Sequence, residues 1–290
     1  MPAIKTILAP VDFSDRSAVA AQHAVALALH FGSRVIFAHV IEAAPAEVRA
    51  QLLGHAFEEA EDFHGVMQAK LEALASETAA GVPYETVVTE GDPAHRLEVL
   101  AGEMGVDFAV MATHGYGAFR RFLVGSTTAK LIHDLECPVL TGVHLTDRPP
   151  FRAGAYRTVA CALGLRETAH SEKVLRWSAD FAQEWGAKLH VIHIPPAIEW
   201  GAAEWFPQDT QELVRAASRE RLGALIDKVG CEAELHIDGQ DPITYANEVI
   251  GKTDADVLVV GRSVDHGALG GIRTNAYAMI REAACPVISI

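Results

Sequence analysis

Residues 111–127 read MATHGYGAFRRFLVGST and join a predicted strand to a predicted helix. The apolar run at 106–111 is typical of a short strand buried in a parallel sheet. Apolar residues at three- and four-residue spacing follow at 129–135 and predict a helix. The start of such a helix carries free backbone N–H groups, which bind anions. The stretch therefore predicts an anion site, for which phosphate is the natural ligand.

Three glycines and two hydroxyl residues shape the loop within this stretch. Gly115, Gly117 and Gly125 permit backbone angles and a close ligand approach that side chains forbid. Ser126 and Thr127 are predicted to cap the helix, with hydroxyl and N–H groups pointing outward. Two common phosphate motifs do not fit. A P-loop needs a lysine after the last glycine, and a dinucleotide fingerprint needs a third glycine where an arginine stands.

The loop is basic in a chain that is acidic as a whole. Arg120 and Arg121 lie between the glycines, and no acidic residue occurs from Met111 to Leu131. Local positive charge fits a phosphate ligand. For either arginine alone, a solvated side chain or a contact with a partner protein explains it equally well. A surface loop with ordinary turn glycines is the simpler alternative for the whole stretch.

Length and composition limit the classes of protein. A chain of 290 residues, half of them hydrophobic, corresponds to about two domains of roughly 150 residues. The net charge of −14 argues against broad binding to nucleic acids or acidic membranes, which requires a basic surface. No apolar run approaches the length of about 18 residues that a membrane span needs. We therefore expect a cytoplasmic protein with no nucleic-acid or membrane partner.

Cysteines and histidines show no metal-binding spacing. Cys137, Cys161, Cys231 and Cys285 form no CxxC pattern and, with no signal peptide ahead of them, are expected to be reduced core thiols. The 14 histidines include no HExxH pattern. Scattered histidines are more often surface or packing residues than ligands, so no metal site is predicted.

Strands and helices alternate along the first half of the chain. Strands are predicted at 4–11, 34–40, 84–89, 106–111 and 138–143, and helices begin after Ser14, at 46–80, at Pro93 and after the glycine loop. Gly32 is expected to end the first helix. The alternation predicts an α/β fold, with a parallel sheet and helices on both faces.

The pattern occurs twice. Residues 145–155, LTDRPPFRAGA, carry two prolines and a glycine and predict a linker. After the linker, GSRVIFAHV at 32–40 is matched by GAKLHVIHI at 186–194, GDPA at 91–94 by GQDPI at 239–243, VDFAVM at 106–111 by ADVLVV at 255–260, and ECPVL at 136–140 by ACPVI at 284–288. Each half is therefore predicted to be one copy of a single α/β unit, with boundaries at 1–146, 147–155 and 156–290.

The spacing Ala112-x2-Gly115-x9-Gly125-Ser126 resembles the G-x2-G-x9-G-[S/T] nucleotide loop of the universal stress protein family, with Ala112 in place of the first glycine. The segments ILAPVDFS, HV at the end of strand two, GDP and CPVL resemble the same family, so nearly the whole chain resembles two such units in tandem. The resemblance implies five-stranded, open parallel sheets of the adenine nucleotide alpha hydrolase type. It also implies a self-associating stress-response protein that binds ATP, ADP or AMP, with or without Mg²⁺.

The resemblance also implies which residues of the first unit form the site. Pro10, Val11 and Asp12 are implied beside the ribose and adenine, Val40 at the adenine edge, Met111 and Ala112 along the ribose, and His114, Gly115, Gly125, Ser126 and Thr127 around the phosphates. A carboxylate at Asp12 would accept bonds from ribose hydroxyls or help hold a phosphate-bound metal. Its alternative is a turn residue that caps the next helix. The alternative for Val40 is an ordinary core valine.

The second unit departs from the motif. Gly164 stands where the first unit has Asp12, and the loop reads Gly261-x2-Val264-x9-Thr274-Asn275. A loop with its own spacing, built on Gly267, Gly270 and Gly271, is the alternative. We expect one nucleotide per chain, with the second unit acting as a structural and dimerising partner.

The sequence favours a binding protein over an efficient enzyme. It contains no recognisable nucleophile with a base beside it, and His114 is the one candidate base near the phosphates. A slow ATP hydrolase and a nucleotide-free dimerising scaffold are the alternatives. Activating enzymes of related architecture would show SGGxDS or HIGH-type motifs, and neither is present.

The last strands of the two units carry a further expectation. Residues 138–143 and 286–290 are apolar, and the strand order that the resemblance implies puts them at sheet edges, where unpaired strands are prone to association. The two units are therefore predicted to pair antiparallel through these strands as an intramolecular pseudo-dimer. Two independent units on a flexible linker are the alternative.

Overall fold

The structure is a computed structural model that describes residues 3–42, 63–113, 125–141, 156–165, 168–195, 208–238, 241–262 and 274–290. The chain forms two compact units, whose main bodies are Pro2–Val139 and Arg152–Ile290. Within the described ranges, no helix combines the length and apolar character needed to cross a bilayer. The two tandem α/β units confirm the predicted fold class.

The first unit is a five-stranded sheet with helices packed against it. Its elements are β1 (Thr6–Pro10), α1 (Asp15–Phe31), β2 (Arg34–Ile41), α2 (Phe63–Thr78), β3 (Tyr84–Glu90), α3 (Pro93–Glu103), β4 (Phe108–Val110), α4 (Ser126–Asp134) and β5 (Val139–Thr141). The strand order is β3-β2-β1-β4-β5, and the β1–β2, β1–β4 and β2–β3 ladders are parallel. The chain passes from one side of β1 to the other between β3 and β4. The carboxyl ends of β1 and β4 therefore flank a topological switch point, where open α/β sheets bind ligands.

The second unit repeats this order. Its elements are β6 (Thr158–Ala162), α5 (Thr168–Trp185), β7 (Lys188–His193), α6 (Gln208–Val229), β8 (Glu234–Ile237), α7 (Pro242–Thr253), β9 (Val257–Val260), α8 (Thr274–Glu282) and β10 (Val287–Ser289). The strand order is β8-β7-β6-β9-β10, and the β6–β7, β6–β9, β7–β8 and β9–β10 ladders are parallel.

Local signals place the helix ends where the sequence predicted them. Ser14 is the N-cap of α1 and accepts a bond from the Ser17 N–H, while Gly32 ends the helix in the left-handed conformation, at φ 66°. Asp92 is the N-cap of α3, and Pro93 occupies its first turn.

Equivalent hydrogen bonds in the two units confirm the internal repeat. Asp107 accepts from the backbone N–H groups of Lys5 and Thr6, at 2.8 and 3.0 Å. In the second unit, Asp256 accepts from the corresponding two N–H groups at 2.7 and 3.0 Å. Each aspartate ties the chain just ahead of the fourth strand to the start of the first strand of its unit.

Aromatic side chains form the core beneath α5 of the second unit. Phe181 is fully buried and stacks on Trp177, with ring centroids 5.0 Å apart and planes 13° apart. Tyr156 meets Phe181 edge-on at 5.1 Å, and Trp185 lies 6.2 Å away. These are favourable ring geometries, so Phe181 is the centre of a four-ring cluster.

The structure corrects several predicted details. Helix α4 begins at Ser126 rather than at 129, and strand β4 covers Phe108–Val110 rather than 106–111. Of the helix predicted at 46–80, residues 63–78 are confirmed, and 46–62 lie outside the described residues. The antiparallel pairing of the last strands stays a prediction.

The four cysteines are free thiols, but only two belong to the core. Cys161 and Cys285 are buried, whereas Cys137 and Cys231 are half-buried, so the core prediction is wrong for the second pair. Burial raises the pKa of the Cys161 thiol to about 12. Because the thiolate is the reactive form, Cys161 is inert at neutral pH.

Candidate functional site

A cavity of about 500 Å³ lies in the first unit, where β1, β2 and β4 end and α4 begins. This volume is in the range of small-molecule sites. The predicted site residues that line it are Pro10, Val11, Asp12, Val40, Met111, Ala112, Gly125, Ser126 and Thr127. The other two predicted residues, His114 and Gly115, lie outside the described residues, as do Arg120 and Arg121.

The cavity also has walls that the sequence did not predict. They are Ser17, Ala38, His39, Glu42, Pro93, Leu97, Thr128 and Leu131. Two of them, His39 and Glu42, lie within two residues of Val40 in the sequence. This proximity to a predicted site residue could have indicated that they line the cavity. Pro93 and Leu97 come from α3, which packing rather than chain proximity brings to the cavity.

Asp12 organises the turn after β1. Its Oδ1 accepts from the Ser14 N–H at 2.9 Å and from the Ser14 hydroxyl at 2.6 Å. The Asp12 N–H donates a hydrogen bond to the Ser17 hydroxyl oxygen at 3.3 Å. The turn reading of Asp12 is therefore confirmed, although Ser14 and not Asp12 is the helix cap. The other carboxylate oxygen has no hydrogen-bond partner among the described residues, and Asp12 lines the cavity.

Phe13 adopts a conformation that no sequence pattern indicated. Its φ is 62°, in the left-handed region that costs a bulky residue about 1–3 kcal/mol. The Phe13 ring lies 4.5 Å from the His39 ring, and the Lys70 ammonium lies 4.2 Å from its centroid. These contacts offset the strain. The bent backbone turns the chain sharply between Asp12 and Ser14.

His39 joins the ends of the first two strands. Its Nδ1 lies 2.8 Å from the Val11 carbonyl oxygen, which can only accept, so Nδ1 carries the proton. The second unit repeats this bond between His193 and Leu163, also at 2.8 Å. The histidine at this position thus joins the ends of the first two strands in both units. In the first unit, His39 also lines the cavity.

The backbone of Val40 faces the cavity. Successive residues of β2 direct their backbone hydrogen bonds to opposite neighbouring strands. The Val35 N–H and the Ile41 carbonyl form hydrogen bonds on the β3 side, and the Ala38 carbonyl accepts one on the β1 side. By this alternation, the N–H and C=O groups of Val40 point toward β1. The β1–β2 ladder ends at the pair of Pro10 and Ala38, so β1 offers these two groups no ladder partner.

The N-terminus of α4 forms another side of the cavity. Gly125 is its N-cap, and no side chain caps the helix, so the predicted hydroxyl caps at Ser126 and Thr127 are wrong. The Gly125 N–H donates to the Thr113 carbonyl at 2.8 Å, and the Thr128 hydroxyl donates to the Ala112 carbonyl at 3.1 Å. These bonds hold the helix start against the end of β4. The helix therefore presents first-turn N–H groups that no side chain of the described residues caps.

In the second unit, side chains of α5 crowd the position that matches Ala112. Gly261 is the counterpart of Ala112, because it follows Asp256 by five residues as Ala112 follows Asp107. The His170 Nε2 and the Val174 methyl crowd the position that a Cβ at Gly261 would take. Val264 and the loop glycines lie outside the described residues, as do the side chains of Thr274 and Asn275. A side chain like that of Ala112 therefore does not fit at Gly261 unless His170 or Val174 moves.

Comparison with known proteins agrees with the repeat. The model of the universal stress protein family matches residues 3–141 and again residues 155–290. A universal stress protein of Methanocaldococcus jannaschii is 32% identical over 141 residues, which are 47% of this chain and 80% of that protein. A universal stress protein of Thermus aquaticus is 34% identical over 143 residues, which are 47% of this chain and 96% of that protein.

A solved structure shows the same fold over the whole length. The universal stress protein from Archaeoglobus fulgidus covers 100% of this chain and 98% of its own, with a TM-score of 0.66 at 19% identity. The two matches of the family model lie end to end and together span nearly all of the sequence. The chain therefore belongs to the universal stress protein family, with two units in tandem.

Proposed function

We propose that the first unit binds an adenine nucleotide, ATP or its products ADP and AMP, and that the protein acts as a nucleotide-binding module in a stress response. The observation that carries the proposal is the pair of opposed polar walls in one cavity. The Val40 backbone offers one donor and one acceptor, and the first turn of α4 offers several donors.

The Val40 groups match the edge of adenine. Adenine presents an amino donor beside a ring-nitrogen acceptor, and a strand residue presents C=O and N–H in one plane. Apolar side chains of Leu97, Met111 and Leu131 line the same cavity and suit the faces of a purine ring. The β2 end is thus the natural position for the base.

The start of α4 suits the phosphates. First-turn N–H groups and the helix dipole both favour negative charge at this helix start. Asp12 follows β1, which separates β2 from β4 in the sheet. It therefore lies between the position proposed for the base and the position proposed for the phosphates. Its available oxygen would accept a bond from a ribose hydroxyl or contact Mg²⁺ carried by the phosphates.

The described lining favours binding over rapid chemistry. Two of its hydroxyls are committed to the backbone: that of Ser17 donates to the Ser14 carbonyl, and that of Thr128 donates to Ala112. Among the described lining residues, no hydrogen bond joins a hydroxyl nucleophile to a histidine base. The proposed role is therefore that of a binding module whose occupancy reports the nucleotide state.

Mass spectrometry of the ligand released from the natively purified protein tests the proposal. Release of ATP, ADP or AMP supports it, and calorimetric titration with ATP then gives the affinity. A protein that is purified empty and shows no heat with any of the three nucleotides contradicts it. Phosphate release measured on the ATP-loaded protein separates a stable binder from a slow hydrolase.

One nucleotide should bind per chain. The first unit has the cavity, whereas His170 and Val174 crowd the corresponding place in the second, and Gly164 replaces the aspartate. Calorimetry at saturating ATP should give a stoichiometry near one. Two nucleotides per chain would show that the loop of the second unit works with its own spacing.

Asp12→Asn should separate the two roles of this residue. The amide oxygen can still accept both Ser14 bonds, so the turn is kept, but the second acceptor and the charge are lost. We expect ATP affinity to fall about tenfold, which is ~1.4 kcal/mol, with unchanged thermal stability. Asp15→Asn, which removes a charge from the first turn of α1, is the matched control and should bind as the parent does. Equal ATP affinities for the two variants would show that Asp12 does not contact the nucleotide.

A further inference from the structure

A second polar cluster lies far from the cavity residues in sequence, on β7 and β8 of the second unit. His190 is paired with Glu234 in the ladder, and His236 follows two residues later on the same face of β8. The His190 Nδ1 lies 3.0 Å from the His236 Nε2 and 3.6 Å from a Glu234 carboxylate oxygen. The His236 Nε2 lies 3.8 Å from the other Glu234 oxygen.

We propose that His190, Glu234 and His236 bind a divalent transition-metal ion of the zinc class. A tetrahedral zinc with bonds of about 2.0–2.2 Å separates its ligand atoms by roughly 3.3–3.6 Å. The two nitrogens are 3.0 Å apart, and each lies 3.6–3.8 Å from a different oxygen of Glu234. With one ligand atom from each residue, the three atoms lie within 4.8 Å of one another. A modest adjustment of the exposed Glu234 side chain and of the two rings would therefore bring one atom of each residue to bonding distance of one ion.

The protonation of the histidine pair fits metal binding. Two ring nitrogens 3.0 Å apart form a hydrogen bond only if one donates and the other accepts, so one nitrogen of the pair carries a free lone pair. For an ion to bind both nitrogens, the donating ring moves its proton to its other ring nitrogen, so that each neutral imidazole offers one lone pair. The side chains of His190 and His236 are only 8% and 19% exposed, whereas Glu234 is 68% exposed. The buried nitrogens hold the ion from inside, and water supplies the fourth ligand from the solvent side.

The first unit shows that the fold does not need these histidines. Ile36 pairs with Glu85 in the first unit as His190 pairs with Glu234 in the second, and Val87 is the counterpart of His236. Two apolar side chains, one of them fully buried, thus stand where the second unit has two imidazoles. The first unit keeps the glutamate, as Glu85, so the pair of imidazoles beside it is the feature that distinguishes the second unit.

The proposed ion would join two strands at the sheet margin. Strand β8 is four residues long and ends the strand order of its unit. A metal bound by one β7 residue and two β8 residues cross-links this short strand to its neighbour. Two imidazoles and one carboxylate suit zinc and exclude magnesium, which prefers oxygen ligands. The site is independent of the nucleotide proposal, since it uses none of the cavity residues.

Zinc titration of the full chain, after removal of metals with a chelator, tests the proposal. The key variant is His190→Ile/His236→Val, which copies the first unit and should therefore fold. Glu234→Gln is a second variant at an exposed side chain, where a folding defect is not expected. The matched control is His133→Ala, because His133 Nδ1 and Asp134 also form a histidine–carboxylate pair, at 2.6 Å, and the described part of the chain adds no third ligand to it.

We expect one zinc ion per chain, a zinc-dependent rise in Tm and, with Co²⁺, the visible absorption of a tetrahedral site. The double variant should lose more than about 100-fold in zinc affinity, since even the loss of an outer-shell partner costs 10–100-fold. Glu234→Gln should also weaken binding, while His133→Ala should match the parent. Equal zinc affinity in the parent and both test variants overturns the proposal. So does a parent chain that gives neither the cobalt spectrum nor a shift in Tm.

Discussion

Gly125→Asp should weaken ATP binding about a hundredfold and leave the fold intact. Gly125 has φ −57° and ψ 149°, which any residue can adopt, and a Cβ there would meet only ordinary contacts, at 3.5 Å or more. An aspartate at an N-cap accepts bonds from the first-turn N–H groups. It would therefore occupy the donors proposed for the phosphates and repel them. Loss of two bonds to a charged group, about 1.5 kcal/mol each, corresponds to roughly a hundredfold in Kd.

Two controls separate the causes of this effect. Gly125→Ala adds a methyl group but no acceptor, and should bind ATP within a few-fold of the parent. Gly125→Asn caps the helix without the negative charge, and should lie between the two. Calorimetric titration gives the affinities, and thermal unfolding verifies the fold. If the folded Gly125→Asp protein binds ATP with the affinity of the parent, the start of α4 does not bind the nucleotide.

Phe181→Ala should lower the free energy of unfolding of the second unit by about 3–5 kcal/mol. Phe181 is fully buried and contacts the rings of Trp177, Tyr156 and Trp185. Removal of an aromatic side chain from a packed core costs the transfer free energy of the ring and leaves a cavity. The neighbouring rings cannot close that cavity without losing contact with each other.

Tryptophan fluorescence in a denaturant titration measures this loss, because all four tryptophans lie between residues 177 and 205 and report on the second unit. Leu213→Ala is the control in the same unit. Leu213 is 70% exposed, so its loss should change stability by less than about 0.5 kcal/mol. Unchanged unfolding of Phe181→Ala would mean that the ring cluster is not a stabilising core.

Much of the candidate site follows from the glycine loop and the strand ends. Nine of the eleven predicted residues line one cavity, because the carboxyl ends of adjacent parallel strands meet at one edge of the sheet. The walls from α3 could not be predicted, since the packing of α3 and α4 places Pro93 and Leu97 there. The hydroxyl caps at Ser126 and Thr127 were wrong because the helix begins earlier than its apolar periodicity indicates.

The histidine–glutamate cluster escaped prediction for a related reason. Glu234 and His236 alternate along one strand and so share a face, which the sequence does indicate. Their partner His190 lies 46 residues before His236, and only the register between β7 and β8 brings it beside them. Metal-ligand spacing read along the chain cannot detect a site assembled across a ladder.

The sequence by itself determined the order of strands and helices, the tandem repeat and the helix ends at Ser14, Gly32 and Pro93. These depend on apolar periodicity and on capping groups within a few residues of one another. Only the tertiary structure decided the left-handed turn at Phe13, the end of the β1–β2 ladder ahead of Val40 and the packing of His170 against Gly261. Each of these depends on where one strand stops relative to its neighbour, or on which side chain fills a given space. Packing of residues distant in sequence decides both.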